Sequence, residues 1–147
     1  MSVWILLILK FLTPLNFTCP HLKEMLTTYH TIPQKIRALV IGINKYDHLR
    51  PLNNAVRDAR SVKETLSKVK NVDVIYVENC DADELKSIAN AFVESTEELD
   101  GIIIFFAGHA CVYNNFHRLL SKNWDGDVNS IPECSLQLLS LLQRLVM

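Results

Sequence analysis

A run of five bulky apolar residues at positions 102–106 constrains this chain more than any other stretch. A strand of this composition must be covered on both faces, as the central strand of a parallel sheet is. Ala107 and Gly108 follow, and His109 is the first polar side chain after the run. This order predicts an imidazole at the carboxyl end of a central strand, where open α/β sheets bind and transform ligands. Because histidine exchanges protons near neutral pH, His109 is a candidate for acid–base chemistry.

Strand and helix patterns alternate from Lys35 onward. Apolar runs predict buried strands, and a weaker pattern predicts a short fourth strand; the four lie at residues 36–43, 72–77, 101–107 and 118–121. Apolar residues at three- and four-residue steps predict a helix after each of the first two strands and one more at the end of the chain. This alternation predicts an α/β fold in which right-handed crossovers build a mainly parallel sheet with helices on both faces.

Capping residues mark where these helices begin. Asn53 or Asn54 caps the first helix, because a short polar side chain there can accept from the first free backbone N–H groups. Asp81 and Glu84 have the spacing of a capping box at the start of the second. The final helix is predicted from Leu136 onward.

The composition is that of one globular domain. The chain has 147 residues, of which 49% are apolar, and a net charge of −1. This length gives room for a single core, and the charge indicates no basic surface for nucleic acid. The cysteines match no zinc-finger or disulfide spacing, which predicts reduced thiols and a cytoplasmic location. These four residues are Cys19, Cys80, Cys111 and Cys134.

Residues 1–34 read as an apolar extension followed by a linker. The apolar run at residues 3–9 is interrupted by Lys10 and is too short to span a bilayer. It lacks the basic flank and the cleavage site of a secretory signal. We expect this segment to lie outside the fold and to bring no membrane contact, unless the run is a real signal.

Three segments resemble the caspase-like cysteine peptidases. Residues 37–44 (RALVIGIN) resemble their first strand, residues 51–59 (PLNNAVRDA) their first helix, and residues 105–109 (FFAGH) the strand that carries their catalytic histidine. The similarity is greatest to the paracaspase and metacaspase branch. It runs from Lys35 to the C-terminus and covers the large-subunit, or p20-type, half of that fold. The resemblance implies a partial caspase-like domain at residues 35–147, with a three-layer fold that is incomplete at its C-terminal side.

The resemblance also implies roles for individual residues. His109 takes the position of the histidine that protonates the leaving amine, while a thiolate attacks and backbone N–H groups hold the oxyanion. Ala110 stands where the family usually has glycine, which questions the oxyanion geometry if that position needs a positive φ. Asp58 matches the acid that binds a basic P1 side chain, whereas Leu52 stands where animal caspases place an arginine. Asp58 can equally be only an acid that offsets the dipole in the first turn of a helix.

The family's nucleophilic cysteine is not found by this comparison. It lies about 50 residues after the histidine in caspases, at the end of the next strand. Only 38 residues follow His109, and none of them resembles that strand, so the nucleophile is predicted to be absent from this chain. Cys111 is too close to His109 along the chain, and Cys134 is a poor substitute although a helix start there would lower its pKa. The missing strand also predicts a poorly covered sheet edge and self-association.

The sequence gives less support to a metal site or a phosphate-binding site. His109, Cys111 and His117 could be read as metal ligands, but their spacing matches no common site and a fourth ligand is missing. No strand is followed by a glycine-rich phosphate loop. We therefore expect no metal and no cofactor.

Two functions remain from the sequence. One is a caspase-like cysteine-type endopeptidase domain with a basic P1 preference, present here as a fragment without its nucleophile. The alternative is a non-catalytic pseudo-protease or interaction module of the same fold. The expected partners are a protein or peptide substrate and a dimerisation partner of the caspase type.

Overall fold

The computed structural model describes residues 2–9, 35–97 and 100–146. In these residues the order of elements is β1 Ser2–Leu9, β2 Ile36–Gly42, α1 Ala55–Leu66, β3 Val72–Glu78, α2 Ala82–Glu94, β4 Gly101–Tyr113, β5 Phe116–Leu120, a short 3-10 helix Val128–Ser130, β6 Ser135–Gln137 and α3 Leu138–Val146. The α/β class predicted from the sequence is confirmed.

Three parallel strands form the centre of the sheet. Strand β2 lies in the middle and pairs in parallel with β3 on one side and β4 on the other. Helix α1 connects β2 to β3, and α2 connects β3 to β4. The sheet as a whole is mixed, because β1, β5 and β6 add antiparallel pairs. Only the three-stranded centre therefore has the parallel pairing that the sequence predicted.

The core divides between the two faces of this sheet, as the alternation of side chains along a strand requires. On one face, Val40, Phe105 and Ala107 contact Ala55 and Ala59 of α1. The opposite face carries the larger cluster, in which α2 and α3 cover the sheet; its members include Leu39, Ile41, Leu85, Phe92, Ile104, Phe106, Leu138 and Leu141. Helices thus lie on both faces, as predicted.

Gly42 allows α1 to lie unusually close to the end of β2. A Cβ on Gly42 would come within 2.7 Å of the Ala59 Cβ and 2.9 Å of the Ala55 carbonyl oxygen. Real Cβ atoms do not tolerate such contacts, and both neighbours belong to the rigid first turns of the helix. The glycine therefore sets the position of the α1 N-terminus above the carboxyl ends of β2 and β4.

The two predicted caps differ in their contacts. Asp81 precedes α2, and its carboxylate accepts a hydrogen bond of 2.9 Å from the Glu84 backbone N–H. Asn54 precedes α1 but makes no side-chain cap hydrogen bond. Asn44 acts in its place, since its Oδ1 accepts from the Val56 N–H at 3.1 Å.

Strand β4 is longer than its sequence predicted. Its parallel pairing with β2 ends at Ala107, opposite Gly42, but the strand continues to Tyr113 and turns back through Asn114 and Asn115 into β5. Both asparagines have positive φ, 49° and 65°, as the central residues of a tight hairpin turn require. His109 therefore lies within β4, two residues past its last pair with β2, rather than on a loop after the strand.

Strand β1 is a second difference from the sequence prediction. Ser2–Leu9 pairs antiparallel with β4, from Leu9 opposite Ile102 to Ser2 opposite His109. The expected extension is thus part of the sheet over these eight residues, and the edge of β4 that was expected to be open is paired. A free edge offers unpaired N–H and C=O groups, which an extended segment can satisfy. The predicted linker at residues 10–34 lies outside the described residues.

Within the described ranges, no helix is long and apolar enough to cross a membrane.

Strand β6 and the hairpin tip were not predicted, whereas α3 begins at Leu138, two residues after the predicted start of the final helix.

Candidate active site

A cavity opens at the carboxyl ends of β2 and β4. It has a volume of about 430 Å³ and is lined by residues 50–55, Gly108 and His109. Its wall therefore consists of the segment between β2 and α1, the first turn of α1, and the middle of β4. This is the edge at which an α/β sheet brings side chains from several strands together.

The imidazole of His109 has a fixed partner in this cavity. Its Nε2 lies 2.9 Å from the carbonyl oxygen of Arg50. A carbonyl oxygen can only accept a hydrogen bond, so Nε2 carries the proton and donates it. In the neutral ring Nδ1 is then the unprotonated nitrogen. The contact selects one tautomer and leaves Nδ1 able to take up a proton.

The Arg50 carbonyl is held in place by its own loop. The backbone of Asn44, just after β2, accepts a hydrogen bond of 2.9 Å from the Leu52 N–H, and the Asn44 side chain accepts from Val56. One asparagine therefore ties both the loop and the first turn of α1 to the end of β2. This arrangement brings a main-chain carbonyl, 59 residues before the histidine, against its ring.

His109 also contacts Tyr46 through both its backbone and its ring. The His109 backbone N–H donates to the Tyr46 hydroxyl at 2.7 Å. The two ring centroids lie 4.5 Å apart with an interplanar angle of 62°, an edge-to-face arrangement. The histidine is thus held at three points by the segment that follows β2.

Ala110 shows none of the backbone strain that its sequence position suggested. It pairs with Leu119 in the β4–β5 hairpin, and its φ is not positive. The Cβ of alanine therefore costs nothing in the observed conformation. The concern about a missing glycine does not apply to this backbone.

Asp58 is not among the residues that line the cavity. Its backbone N–H donates to the Asn54 carbonyl at 2.9 Å, which places it one helical turn after a lining residue. One carboxylate oxygen lies 3.8 Å from the Nε of the largely exposed Arg57. The other oxygen is buried and has no hydrogen-bond partner among the residues that the structure describes. An unpartnered buried carboxylate oxygen is unfavourable, and a cationic group would relieve it.

None of the three cysteines in the described residues is placed as a nucleophile beside His109. Cys80 is fully buried at the end of β3, and burial raises the pKa of its thiol to about 12. Cys111 lies two residues further along β4 against the larger core cluster, and burial raises the pKa of this thiol as well. The carbonyl of Cys134 accepts from Ser121, so β5 separates Cys134 from β4 by two strand spacings, about 10 Å. Cys19 is outside the described residues.

The suggested metal cluster does not assemble in the described residues. His117 lies opposite Val112 in the exposed hairpin, and no three His, Cys, Asp or Glu side chains of the described segments come close enough to hold an ion.

Sequence reasoning missed Arg50 and Tyr46. The contribution of Arg50 is a backbone carbonyl, which any residue could supply, so no sequence signal marks it. Tyr46 carries a weak signal, as the aromatic residue that follows the apolar strand 36–43 by a short polar segment.

Comparison with protein families gives a match over most of the chain. A family model described as the caspase domain matches residues 35–143, well over half of the chain. The matched range includes β2 through most of α3 and every residue of the cavity wall. No curated protein matches the chain.

Proposed function

Since the chain belongs to the caspase-domain family, we propose that it is a caspase-like cysteine-type endopeptidase domain in which His109 transfers the protons. The observation that carries this proposal is the hydrogen bond from His109 Nε2 to the Arg50 carbonyl inside the cavity. It supports acid–base chemistry because it leaves Nδ1 as the free base on an oriented ring.

The proton transfers of cysteine-peptidase catalysis are compatible with the Nε2–H tautomer of His109. Nδ1 accepts the proton of a cysteine thiol, and the resulting thiolate attacks the carbonyl carbon of the scissile peptide bond. The imidazolium then returns the proton from Nδ1 to the leaving amine nitrogen as the C–N bond breaks. Throughout, Nε2–H continues to donate to the Arg50 carbonyl, which stabilises the cationic ring. Water hydrolyses the acyl-enzyme by the same exchange at Nδ1.

We assign Asp58 to recognition of a basic P1 side chain. Within the described part of the chain its buried carboxylate oxygen has no donor, and a guanidinium or ammonium group would supply one. Leu52, in the cavity wall, carries no charge, whereas Arg50 in the same wall is cationic and would attract an acidic group. The proposed preference for Arg or Lys, as in the paracaspase and metacaspase branch that the sequence resembles, therefore rests on Asp58.

The proposed function requires a thiol that is not one of Cys80, Cys111 and Cys134. Two of these thiols have raised pKa values because they are buried, and β5 separates the third from β4. This same observation favours the second candidate, a pseudo-protease or interaction module that keeps the fold without the chemistry.

The test joins the chain to the nucleophile-bearing half of a caspase-domain relative and assays peptides with Arg, Lys or Asp at P1. The proposal predicts thiol-dependent cleavage after Arg and Lys. His109→Ala should lower kcat by at least about 100-fold, the usual contribution of a general acid–base group. Asp58→Asn should lower kcat/KM for Arg-P1 peptides by at least about tenfold, since it removes a desolvated counter-charge.

Asp83→Asn is the matched control. Asp83 is also an acid in the first turn of a helix, but it belongs to α2, so its loss should not affect cleavage. Equal effects of the two Asp→Asn substitutions would reduce Asp58 to a helix-start acid. An inactive fusion that folds would favour the pseudo-protease. Cleavage by the unfused chain that Cys111→Ala or Cys134→Ala abolishes would refute the assignment of the nucleophile.

A further inference from the structure

Tyr46 lies on a segment that is fixed from two sides. The side-chain oxygen of Asn79, just after β3, accepts from the backbone N–H groups of Asn44 and Lys45, each at 3.0 Å. On the other side of Tyr46, the Asp47 N–H donates to the Lys122 carbonyl at 3.0 Å. The backbone at Tyr46 is therefore tied to the ends of β3 and β5 as well as to β2.

The side chain of Tyr46 is equally constrained. It is 8% exposed and belongs to the larger core cluster. Burial raises the pKa of its hydroxyl well above the usual value of a tyrosine, so the group stays neutral at any physiological pH. A neutral hydroxyl oxygen in this position can accept the His109 N–H at 2.7 Å.

Because Gly108 has no side chain, the Tyr46 hydroxyl can lie close to the backbone of β4. A Cβ on Gly108 would lie 2.6 Å from the Tyr46 hydroxyl oxygen and 2.6 Å from the Phe106 ring. The φ of Gly108 is not positive, so the need for glycine here is one of space rather than of backbone conformation. Gly108 and His109 are therefore two members of a three-residue arrangement whose third member is Tyr46.

We propose that Tyr46 is a positioning residue for His109: its hydroxyl fixes the backbone of the histidine and its ring packs against the imidazole. This inference rests on the proposed function for its role in turnover. With the Arg50 carbonyl at Nε2, it gives the imidazole two contacts on different atoms. A proton donor must be held close to its productive orientation, because small displacements lower the rate of transfer.

Tyr46→Phe tests this proposal, since it removes the hydroxyl and keeps the ring. In the full chain, the His109 amide should exchange with solvent at least about tenfold faster, as its acceptor is lost. Because the released backbone of His109 lets the ring move away from the Arg50 carbonyl that selects its tautomer, the ¹⁵N signals of the imidazole should shift from one tautomer toward a mixture. Tyr76→Phe is the control, because it removes another bonded tyrosine hydroxyl, at the exposed Glu78 pair, and should leave both readouts unchanged.

In the active fusion, Tyr46→Phe should lower kcat with little change in KM, and Tyr46→Leu, which also loses the ring, should lower it further. Unchanged His109 signals in Tyr46→Phe would overturn the proposal. A Tyr46→Phe chain that loses its cooperative thermal transition would also overturn it, since the role would then be structural. Altered His109 signals in a fusion that never cleaves would support the positioning role and contradict only the proposed peptidase activity.

Discussion

At the scale of single residues, the burial of Cys80 makes the free energy of unfolding depend on pH. Its thiol is inaccessible to water, and burial, with the Glu84 carboxylate as a smaller cause, raises its pKa to about 12. An unfolded cysteine ionises near pH 8.5. Above that pH the unfolded chain releases a proton that the folded chain keeps, so the free energy of unfolding falls as pH rises.

We therefore predict a loss of stability between about pH 8.5 and pH 12, of up to about 5 kcal/mol from this group. Urea unfolding from about pH 8 to about pH 10.5 measures the slope. Cys80→Ala should start from a lower stability, because it leaves a small cavity, but should show a shallower decline. Parallel declines in the two proteins would show that Cys80 is not the titrating group.

The sequence pointed to a residue of the cavity where its side chain follows a distinctive pattern in the chain. The apolar run 102–106 directed attention to His109, and the structure places that residue in a cavity wall. Its role, like that of Asp58, stays a prediction. Arg50 and Tyr46 could not be found this way, because one acts through a backbone carbonyl and the other through a fold-dependent approach to Gly108.

At the scale of elements, the helices and central strands followed from periodicity, whereas the length of β4 did not. Apolar residues end at Ala107, but antiparallel pairing with β5 continues the strand to Tyr113. Asn114 and Asn115 are a hairpin signal between two strand-forming stretches, and they could have identified the turn. The pairing of β1 with β4 depends on a contact across about 100 residues of sequence, which no local pattern encodes.

The β1–β4 pairing predicts how the chain behaves without its N-terminal segment. A chain that begins at Lys35 loses the strand that covers β4 from Ile102 to His109. The exposed edge of an apolar strand promotes association. We expect this shortened chain to form oligomers in light scattering at concentrations where the full chain forms fewer.

Ile5→Pro in the full chain tests the role of β1 with a single substitution. Proline lacks a backbone N–H, has a fixed φ and is disfavoured in the middle of a paired strand such as β1. It should increase association, whereas Ile5→Val, which keeps the N–H, should not. A monomeric chain from Lys35 onward would mean that β1 does not protect this edge.

At the scale of the whole molecule, the topology explains why the site assembles. Two parallel crossovers bring the carboxyl ends of β2 and β4 to the same edge, and Gly42 draws the first turn of α1 over it. The segment from Asn44 to Asn54 must cross this edge to reach α1. Its carbonyl at Arg50 and its ring at Tyr46 therefore meet His109 although about 60 residues separate them in sequence.

The proposed catalysis depends on a His109 ring that carries its proton on Nε2 and leaves Nδ1 free. The most direct measurement is the ¹⁵N spectrum of the histidine rings in the full chain across neutral pH, with the His109 signals assigned by their loss in His109→Gln. We expect the neutral His109 ring to be the Nε2–H tautomer, with Nδ1 unprotonated. A neutral ring protonated at Nδ1, or signals averaged as in free histidine, would contradict it.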